Sequence, residues 1–400
     1  MITAAGRVFD AIERTDPSPG THSESTAHFL NRAYGEYWDQ IRCLIEEWVS
    51  HLPEQHRADL IGRLRSNDNR QFAGAFWELY LHETLLRSGY AVTIHPTVAG
   101  SARQPDFLVT GGDSSFYLEA KALVGKNPDP GSGARTQRLY DALDRIDSPN
   151  FFLAIDVNAV GASDLPTKAL RAKLEEWLRT LDPDTTTFAA RHDANGETFP
   201  WQHDGWELSF RPIPIKPEAR GKGHRPLGVF GSGGEAALVE DDVELRAVLV
   251  DKGAAYGDLG LPLVIAVNCF GFSHDDFDTM NALYGTSQIR ISMDDPDAPP
   301  VPVRAPDGYW IAGSWAHQHV AGVLIGRSVG PWRVTEEVPT FWPHPEPAQA
   351  VSPLNIWRVA QPVTDHIEYI EPKAPLHGAL ELPATWPIGE PWPKEIHADS

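Results

Sequence analysis

The sequence predicts an α/β protein with a core that runs helix, three strands, helix, strand. Apolar residues recur at helical spacing over much of the first 90 residues, which indicates amphipathic helices. Short β-branched and aromatic runs follow, two of them separated by the turn-forming Gly111–Ser114. Later helical and apolar extended segments alternate, and this order is typical of a sheet covered by helices.

The N-terminal part is expected to be an arm followed by helices. Residues 1–22 are rich in Ser, Thr, Pro and Gly, so a mobile arm is expected. Residues 23–70 form a predicted helical region, with one helix over 23–49 and a second over 54–65. The aromatic face of the longer helix is interpreted as core, and a homodimer surface is the alternative.

The segment 71–160 is predicted to be the core. Gly111–Ser114 makes the second and third of its strands a hairpin. The last strand is mainly apolar, as expected for a strand buried on both faces. The predicted elements are a helix over 70–87, strands over 90–94, 106–110 and 116–123, a helix over 136–146 and a strand over 151–157.

Residues 161–372 are predicted to be a C-terminal α+β extension that packs on the core sheet or continues it. Residues 373–400 form a Pro-rich tail with an irregular course. The extension is expected to contain helices over 166–181 and 243–256 and strands over 206–215, 262–268 and 319–325.

The composition limits the partners. The formal net charge is −21, and nucleic-acid binding therefore needs a local positive groove. The chain has two cysteines, no N-terminal signal-peptide pattern and no apolar run long enough for a bilayer, so we expect a cytoplasmic protein without a membrane partner. The candidate nucleic-acid contacts lie in one basic stretch, for which a solvated loop is the alternative: Arg211, Lys216, Arg220, Lys222 and Arg225.

Acidic residues and one lysine are expected to meet on the predicted hairpin. Glu119 and Lys121 share a face because residues two apart in a strand point the same way. Asp106 opens the neighbouring strand, so its carboxylate is expected near Glu119. Two carboxylates and the Ala120 carbonyl oxygen offer the hard ligands that Mg²⁺ prefers, with Mn²⁺ as the alternative. The Lys121 ammonium would orient water or stabilise negative charge on a phosphate.

A helix glutamate is expected to complete this site. Glu78 and Glu83 both lie on the helix before the first strand, about 140° apart at roughly 3.6 residues per turn. They cannot both face the site. Glu78 is preferred as the further metal ligand.

Pro105-Asp106 with Glu119-Ala120-Lys121 resembles the PD-(D/E)xK nuclease superfamily, which has the restriction-endonuclease-like fold. The resemblance covers residues 72–157. It implies Mg²⁺-dependent hydrolysis of phosphodiester bonds, with DNA as the favoured substrate. It also implies that Asp106, Glu119 and the helix Glu78 bind the metal, and that Lys121 acts on the attacking water or the phosphate.

Other assignments stay open. Gln137 and Arg103 are further site candidates, with solvated positions as the alternative. Lys252 and Tyr256 lie one turn apart on a predicted helix, and packing accounts for them. A catalytically inactive module that binds a protein or nucleic acid is the alternative function.

Overall fold

The computed structural model of the protein divides the chain into two compact units. The first unit combines residues 1–19, 25–125 and 240–400, and the second combines residues 20–24 and 126–239. This division differs from the continuous segments expected from the sequence, because the predicted core of 71–160 is split at residue 125. The structure describes residues 6–112, 114–124, 131–188, 196–222, 225–229, 241–257, 259–270, 275–291, 299–311, 313–363 and 366–392.

Four helices come first in the described part of the chain, strands and helices are then interspersed, and strands predominate after residue 284. The predicted helices over 54–65 and 70–87 and the predicted hairpin strands are confirmed with shifts of one or two residues at most ends. In chain order the elements are α1 (Thr26–Arg32), α2 (Glu36–His51), α3 (Glu54–Leu64), α4 (Asn69–Arg87), β1 (Ala91–Ile94), β2 (Phe107–Gly111), β3 (Ser114–Val124), α5 (Ser132–Leu143), β4 (Phe151–Ala159), α6 (Thr167–Thr180), β5 (Phe199–His203), β6 (Trp206–Pro214), β7 (Leu227–Val229), α7 (Asp241–Gly253), β8 (Leu263–Phe270), α8 (Asp276–Tyr284), β9 (Ser287–Arg290), β10 (Val301–Arg304), β11 (Val320–Arg327), β12 (Thr340–Pro343), β13 (Arg358–Pro362), β14 (Ile367–Ile370) and α9 (Leu376–Ala379).

The single helix expected over 23–49 is two helices, α1 and α2. Gly35 separates them with φ of +124°, a conformation outside the right-handed helical region that only glycine adopts readily. The aromatic face is core, as interpreted from the sequence, because Trp38 and Trp48 are buried within the same chain.

The arm expected to be mobile is held against the helices from residue 6 onward. Val8 and Phe9 are buried, and their backbone N–H groups donate to Glu46 Oε1 over 3.0 and 2.9 Å. Two apolar side chains thus tie this segment to α2, which composition alone did not indicate. Residues 1–5 of the predicted arm lie outside the described residues.

The first unit is built on an eight-stranded sheet, called the main sheet, in the order β1-β2-β3-β8-β11-β12-β13-β14. Strands β1, β2 and β3 form an antiparallel meander, and β8 then pairs parallel to β3. A parallel pair needs a crossover connection, and α7 precedes β8 in it. The main sheet therefore continues through strands of the C-terminal half of the chain.

Each face of the main sheet has its own apolar layer. On the α4 face, Phe116, Leu118 and Ala120 of β3 pack with buried residues of the N-terminal helices. Trp77 of α4 also donates its indole N–H to the Ala266 carbonyl of β8 over 3.0 Å. On the α7 face, Tyr117 packs with buried residues of α7 and β8. The alternating side chains of β3 thus separate two layers, and Glu119 belongs by its position to the α7 face.

The helix and strand expected to complete the core form as α5 and β4, but they belong to the second unit. The predicted order of helix, three strands, helix and strand is therefore wrong for these two elements. Strand β4 lies between β6 and β7 in a four-stranded sheet of order β5-β6-β4-β7. Apolar periodicity identifies such elements, but it does not state which strand each one pairs with.

The second unit has an apolar core of its own. Leucines from α5 and α6, including Leu143 and Leu174, are fully buried against β4 and β6. Trp206 at the start of β6 is also buried and donates to the Ser163 carbonyl over 2.9 Å. The unit therefore has the contents of an independent domain.

The Pro-rich tail follows an irregular course apart from α9. Leu376, Leu380 and Trp386 are buried in the first unit. The Trp386 indole N–H donates to the Pro331 carbonyl over 3.0 Å. Residues 393–400 of the predicted tail lie outside the described residues. In the part of the chain that the structure describes, no helix combines the length and apolarity needed to cross a membrane.

Candidate functional site

Asp106 lies immediately before β2, at the edge of the α7 face. The β2–β3 register pairs Phe107 with Leu118, which sets Asp106 beside Glu119 and Ala120. Asp106 Oδ2 accepts the Ala120 backbone N–H over 2.7 Å. The hairpin register thus brings the Asp106 carboxylate to the backbone of the Glu-Ala-Lys segment, as expected from the turn.

Glu119 is buried, with 3% of its surface exposed, and both of its carboxylate oxygens are engaged. Lys252 Nζ of α7 donates to Oε1 over 2.6 Å, and the Tyr256 hydroxyl donates to Oε2. Packing, the interpretation from the sequence, holds for Tyr256, which is buried in the apolar layer of the α7 face, but it misses the contacts of both residues with Glu119. A lysine and a tyrosine four residues apart, just before a buried strand, were the available indication. Only the crossover shows that they reach Glu119.

The charges of this cluster favour a proton on Asp106. Burial, together with the negative charges of Glu119 and Glu78, raises the pKa of Asp106 from 3.8 to about 8. The hydrogen bond from Ala120 and the positive charge of Lys252 oppose that rise. One lysine therefore does not neutralise the acidic groups that converge here.

Lys252 and Tyr256 keep their protons beside Glu119. Burial opposes the charge on Lys252, but the hydrogen bond and charge of Glu119 outweigh it and raise the pKa of the ammonium. Burial and the same carboxylate raise the pKa of the Tyr256 hydroxyl well above its usual value of 10.0. Both groups therefore act as hydrogen-bond donors near neutral pH.

Glu78 lies on α4 within electrostatic reach of Asp106, whose pKa it helps to raise. Its carboxylate accepts both Nη groups of Arg63, with Nη1 at 2.7 Å from Oε1. Arg63 Nε also donates to Asp59 Oδ2 over 3.1 Å. Glu78 thus belongs to the acidic cluster but is held by a guanidinium of α3.

The rival Glu83 is only 1% exposed and pairs elsewhere. It accepts from Arg87 Nε, and His51 Nδ1 lies 2.9 Å from its other oxygen. The preference for Glu78 near Asp106 agrees with these contacts.

Lys121 is exposed in β3 and lies opposite Val267 of β8. It occupies the same face of the strand as Glu119 by alternation. Its ammonium is therefore open to a ligand, whereas that of Lys252 is engaged with Glu119.

The weaker candidates are distributed over both units. Arg103 is exposed and lies close enough to Tyr256 for its charge to affect that hydroxyl. Gln137 is exposed on α5 of the second unit, whereas Asp106 belongs to the first.

Three of the five basic candidates are engaged in contacts of the second unit. Arg211 is buried in an ion pair with Asp156 at 3.2 Å. Arg220 pairs with Asp184 at 2.8 Å. Arg225 donates to the Gly20 carbonyl over 2.8 Å. Lys216 and Lys222 are exposed. This stretch is therefore not a free basic groove.

The oxygen donors around Asp106 are of the chemical type that binds a hard divalent cation. Within the described ranges, no three or more His, Cys, Asp and Glu side chains are grouped so as to hold a metal ion. The Asp106 and Glu119 carboxylates with the Ala120 carbonyl are nevertheless oxygen donors of the type that Mg²⁺ and Mn²⁺ prefer. A cation between them would relieve the repulsion that raises the pKa of Asp106.

Comparison of the chain with family models, with curated proteins and with solved structures gave no significant match.

Proposed function

We propose that this protein is a metal-dependent nuclease that hydrolyses phosphodiester bonds, with DNA as the favoured substrate. The observation that carries the proposal is the acidic cluster in which Asp106, held by the Ala120 N–H, lies beside Glu119 and Glu78. A partly buried carboxylate with such a raised pKa marks a candidate functional site.

The order of elements around the cluster supports the same proposal. Helix α4, the meander β1–β3, the crossover helix α7 and the parallel strand β8 follow one another in the first unit. The resemblance implies the order helix, three strands, helix and strand, and the proposal assigns these elements to that order, with residues 126–239 of the second unit inserted after β3.

Asp106, Glu119 and the Ala120 carbonyl would hold the metal, with Glu78 as a further oxygen ligand. A bound Mg²⁺ would acidify water and neutralise phosphate charge. Lys121, with its exposed ammonium, would contact a phosphate oxygen where negative charge develops. Lys252 and Tyr256 would hold Glu119 in position through their two hydrogen bonds.

Hydrolysis consumes one water molecule. The water oxygen bonds to phosphorus as one phosphorus–oxygen ester bond breaks. The attacking oxygen loses a proton and the leaving oxygen gains one.

The test is cleavage of single-stranded DNA, double-stranded DNA and RNA by the purified protein with Mg²⁺ or Mn²⁺. Wild type should cut, Asp106→Asn should not, and Lys121→Ala should be slower by about 10²–10³-fold. Lys373→Ala, at an exposed lysine of the same unit, is the matched control and should cut normally. A folded wild type that cuts none of these substrates would refute the proposal.

A second candidate is a non-catalytic binding module on the same scaffold. It is favoured by the engagement of both Glu119 oxygens with Lys252 and Tyr256. Titration calorimetry with Mg²⁺ and Mn²⁺ separates the two candidates. Metal uptake that is lost in Asp106→Asn supports the nuclease, and no uptake by wild type supports the module.

A further inference from the structure

A cavity of about 330 Å³ adjoins the acidic cluster within the first unit. It lies among α3, α4 and the end of the β1–β2 pair at which the connecting loop begins, and Glu78 belongs to both the cavity and the cluster. His95 provides a second connection, because its backbone N–H donates to the Asp106 carbonyl over 2.9 Å. A group in the cavity would therefore lie next to a substrate bound at Asp106.

The inner wall of the cavity is apolar. Leu60, Leu79 and Phe107 line it, and all three side chains are buried. A cavity of this size with an apolar wall and a few polar groups has the usual character of a small-ligand site. The wall suits a flat ring better than a hydrated ion.

The charged groups of the cavity disfavour a phosphate. Arg63 is shared between two carboxylates, those of Glu78 and Asp59. One positive charge against two negative charges leaves the wall acidic. Asp59 is 73% exposed, so it keeps acceptor capacity for a donor group on a ligand.

Two imidazoles lie at the rim of the cavity. The rings of His56 and His95 approach edge to face with 5.7 Å between their centroids. Burial and the neighbouring His95 lower the pKa of His56, which keeps that ring neutral near pH 7. His95 has φ of +48°, a conformation uncommon for residues with a side chain and found more often at functional sites.

We propose that this cavity binds one unstacked nucleobase of the substrate strand, beside the phosphate that reacts at the acidic cluster, and prefers bases that carry an exocyclic amino group. The apolar wall and the imidazoles would contact the ring, and Asp59 would accept the amino group. The inference rests on the proposed function for its substrate class.

A base must leave its stack to enter such a cavity, and this costs least in a single strand or at a mismatch. Single-stranded or locally unpaired substrates are therefore favoured over a perfect duplex.

Ligand-observed NMR with free deoxycytidine and thymidine tests the cavity without requiring cleavage. Deoxycytidine should bind wild type more tightly than thymidine does. Gln55→Trp places a large side chain at the exposed part of the cavity lining and should weaken binding at least tenfold. Ala58→Trp, at an exposed position of the same helix that does not line the cavity, is the matched control and should bind as wild type does. Asp59→Asn should reduce the preference for deoxycytidine.

The inference is overturned if wild type binds neither nucleoside, if Gln55→Trp binds as well as Ala58→Trp, or if thymidine binds as tightly as deoxycytidine. Asp106→Asn leaves the cavity lining intact and should still bind deoxycytidine. Nucleoside binding with no cleavage of any nucleic acid would refute the nuclease and retain the cavity. Cleavage without nucleoside binding would support the nuclease and refute the nucleobase site in the cavity.

Discussion

Lys252 is the cation that the described structure pairs directly with Glu119, whose side chain is almost fully buried. A buried carboxylate that loses a charged partner keeps its desolvation cost without the compensating interaction. Asp106 avoids part of this cost by holding a proton, as its pKa of about 8 indicates. Glu119 is thus stabilised by its ion pair with Lys252, whereas Asp106 is stabilised by holding a proton.

Lys252→Met should lower the free energy of unfolding by about 1–3 kcal/mol, because Glu119 loses one of its two hydrogen-bond donors. Urea unfolding of the metal-free protein measures the change. Lys373→Met, at an exposed lysine of the same unit, should have almost no effect. Adding Glu119→Gln to Lys252→Met should recover part of the loss. Equal free energies of unfolding for Lys252→Met and wild type would show that Lys252 does not stabilise the buried Glu119 carboxylate.

The stability of the metal-free protein should contain a contribution that falls with rising pH. The folded pKa of Asp106 is about 8 against an ordinary value of 3.8, so between these values the folded state holds a proton that the unfolded state has lost. This contribution is complete below the ordinary value and disappears as the pH rises toward about 8.

Asp106→Asn should remove that fall, because an amide does not titrate. Urea unfolding of both proteins with a chelator, at pH values between 3.8 and about 8, provides the comparison. The stability of the variant relative to wild type should increase with pH. A difference that is constant across this range would show that Asp106 titrates normally.

At the scale of elements, α4 carries two acidic residues whose surroundings differ. Glu78 faces Arg63 and the Asp106 cluster, whereas Glu83 is buried with Arg87 and His51. The five-residue spacing turns the two side chains by about 140°, which prevents them from sharing a site. One helix thus supplies both a candidate site residue and an ion pair that anchors it to α2.

Glu83→Gln should lower the free energy of unfolding by about 3 kcal/mol, because Arg87 and His51 lose a buried anion. Its cleavage rate should stay close to that of wild type at temperatures where it is folded. Glu78→Gln should lose less stability than Glu83→Gln but should cleave more slowly than wild type. Urea unfolding and a cleavage assay on the same preparations separate the effects. An equal loss of cleavage in Glu78→Gln and Glu83→Gln would show that Glu78 has no greater role in the reaction than Glu83.

At the scale of the whole molecule, the second unit, apart from residues 20–24, is an insertion between β3 and the crossover helix α7 of the first. Every strand of the main sheet belongs to the first unit, although β3 and β8 are distant in the sequence. The second unit has its own four-stranded sheet and apolar core. Each unit therefore contains the contacts that a folding domain needs.

A chain in which a flexible Gly-Ser linker replaces residues 126–239 should still fold cooperatively, because the main sheet and both of its apolar layers remain. Near-ultraviolet circular dichroism and urea unfolding test this expectation. The same shortened chain with Val264→Asp, at a fully buried position of β8, should fail both tests. An insoluble or non-cooperative shortened chain would show that the first unit depends on the second.

Local sequence patterns determined many elements of this protein and part of its candidate site. Helical periodicity identified α3 and α4, and alternation with a Gly-rich turn identified the β2–β3 hairpin. The same two-residue period placed Asp106 beside the Glu119 strand, because a tight turn sets the register of the strands it joins.

Tertiary structure alone decided what lies next to β3. The sequence indicated that α5 and β4 close the core, whereas α7 and β8 occupy that place. Lys252 and Tyr256 come with α7, so their contacts with Glu119 were not visible in the local pattern. The physical reason is that periodicity records which face of an element is buried. The choice of a strand's partner depends on contacts between segments far apart in the chain.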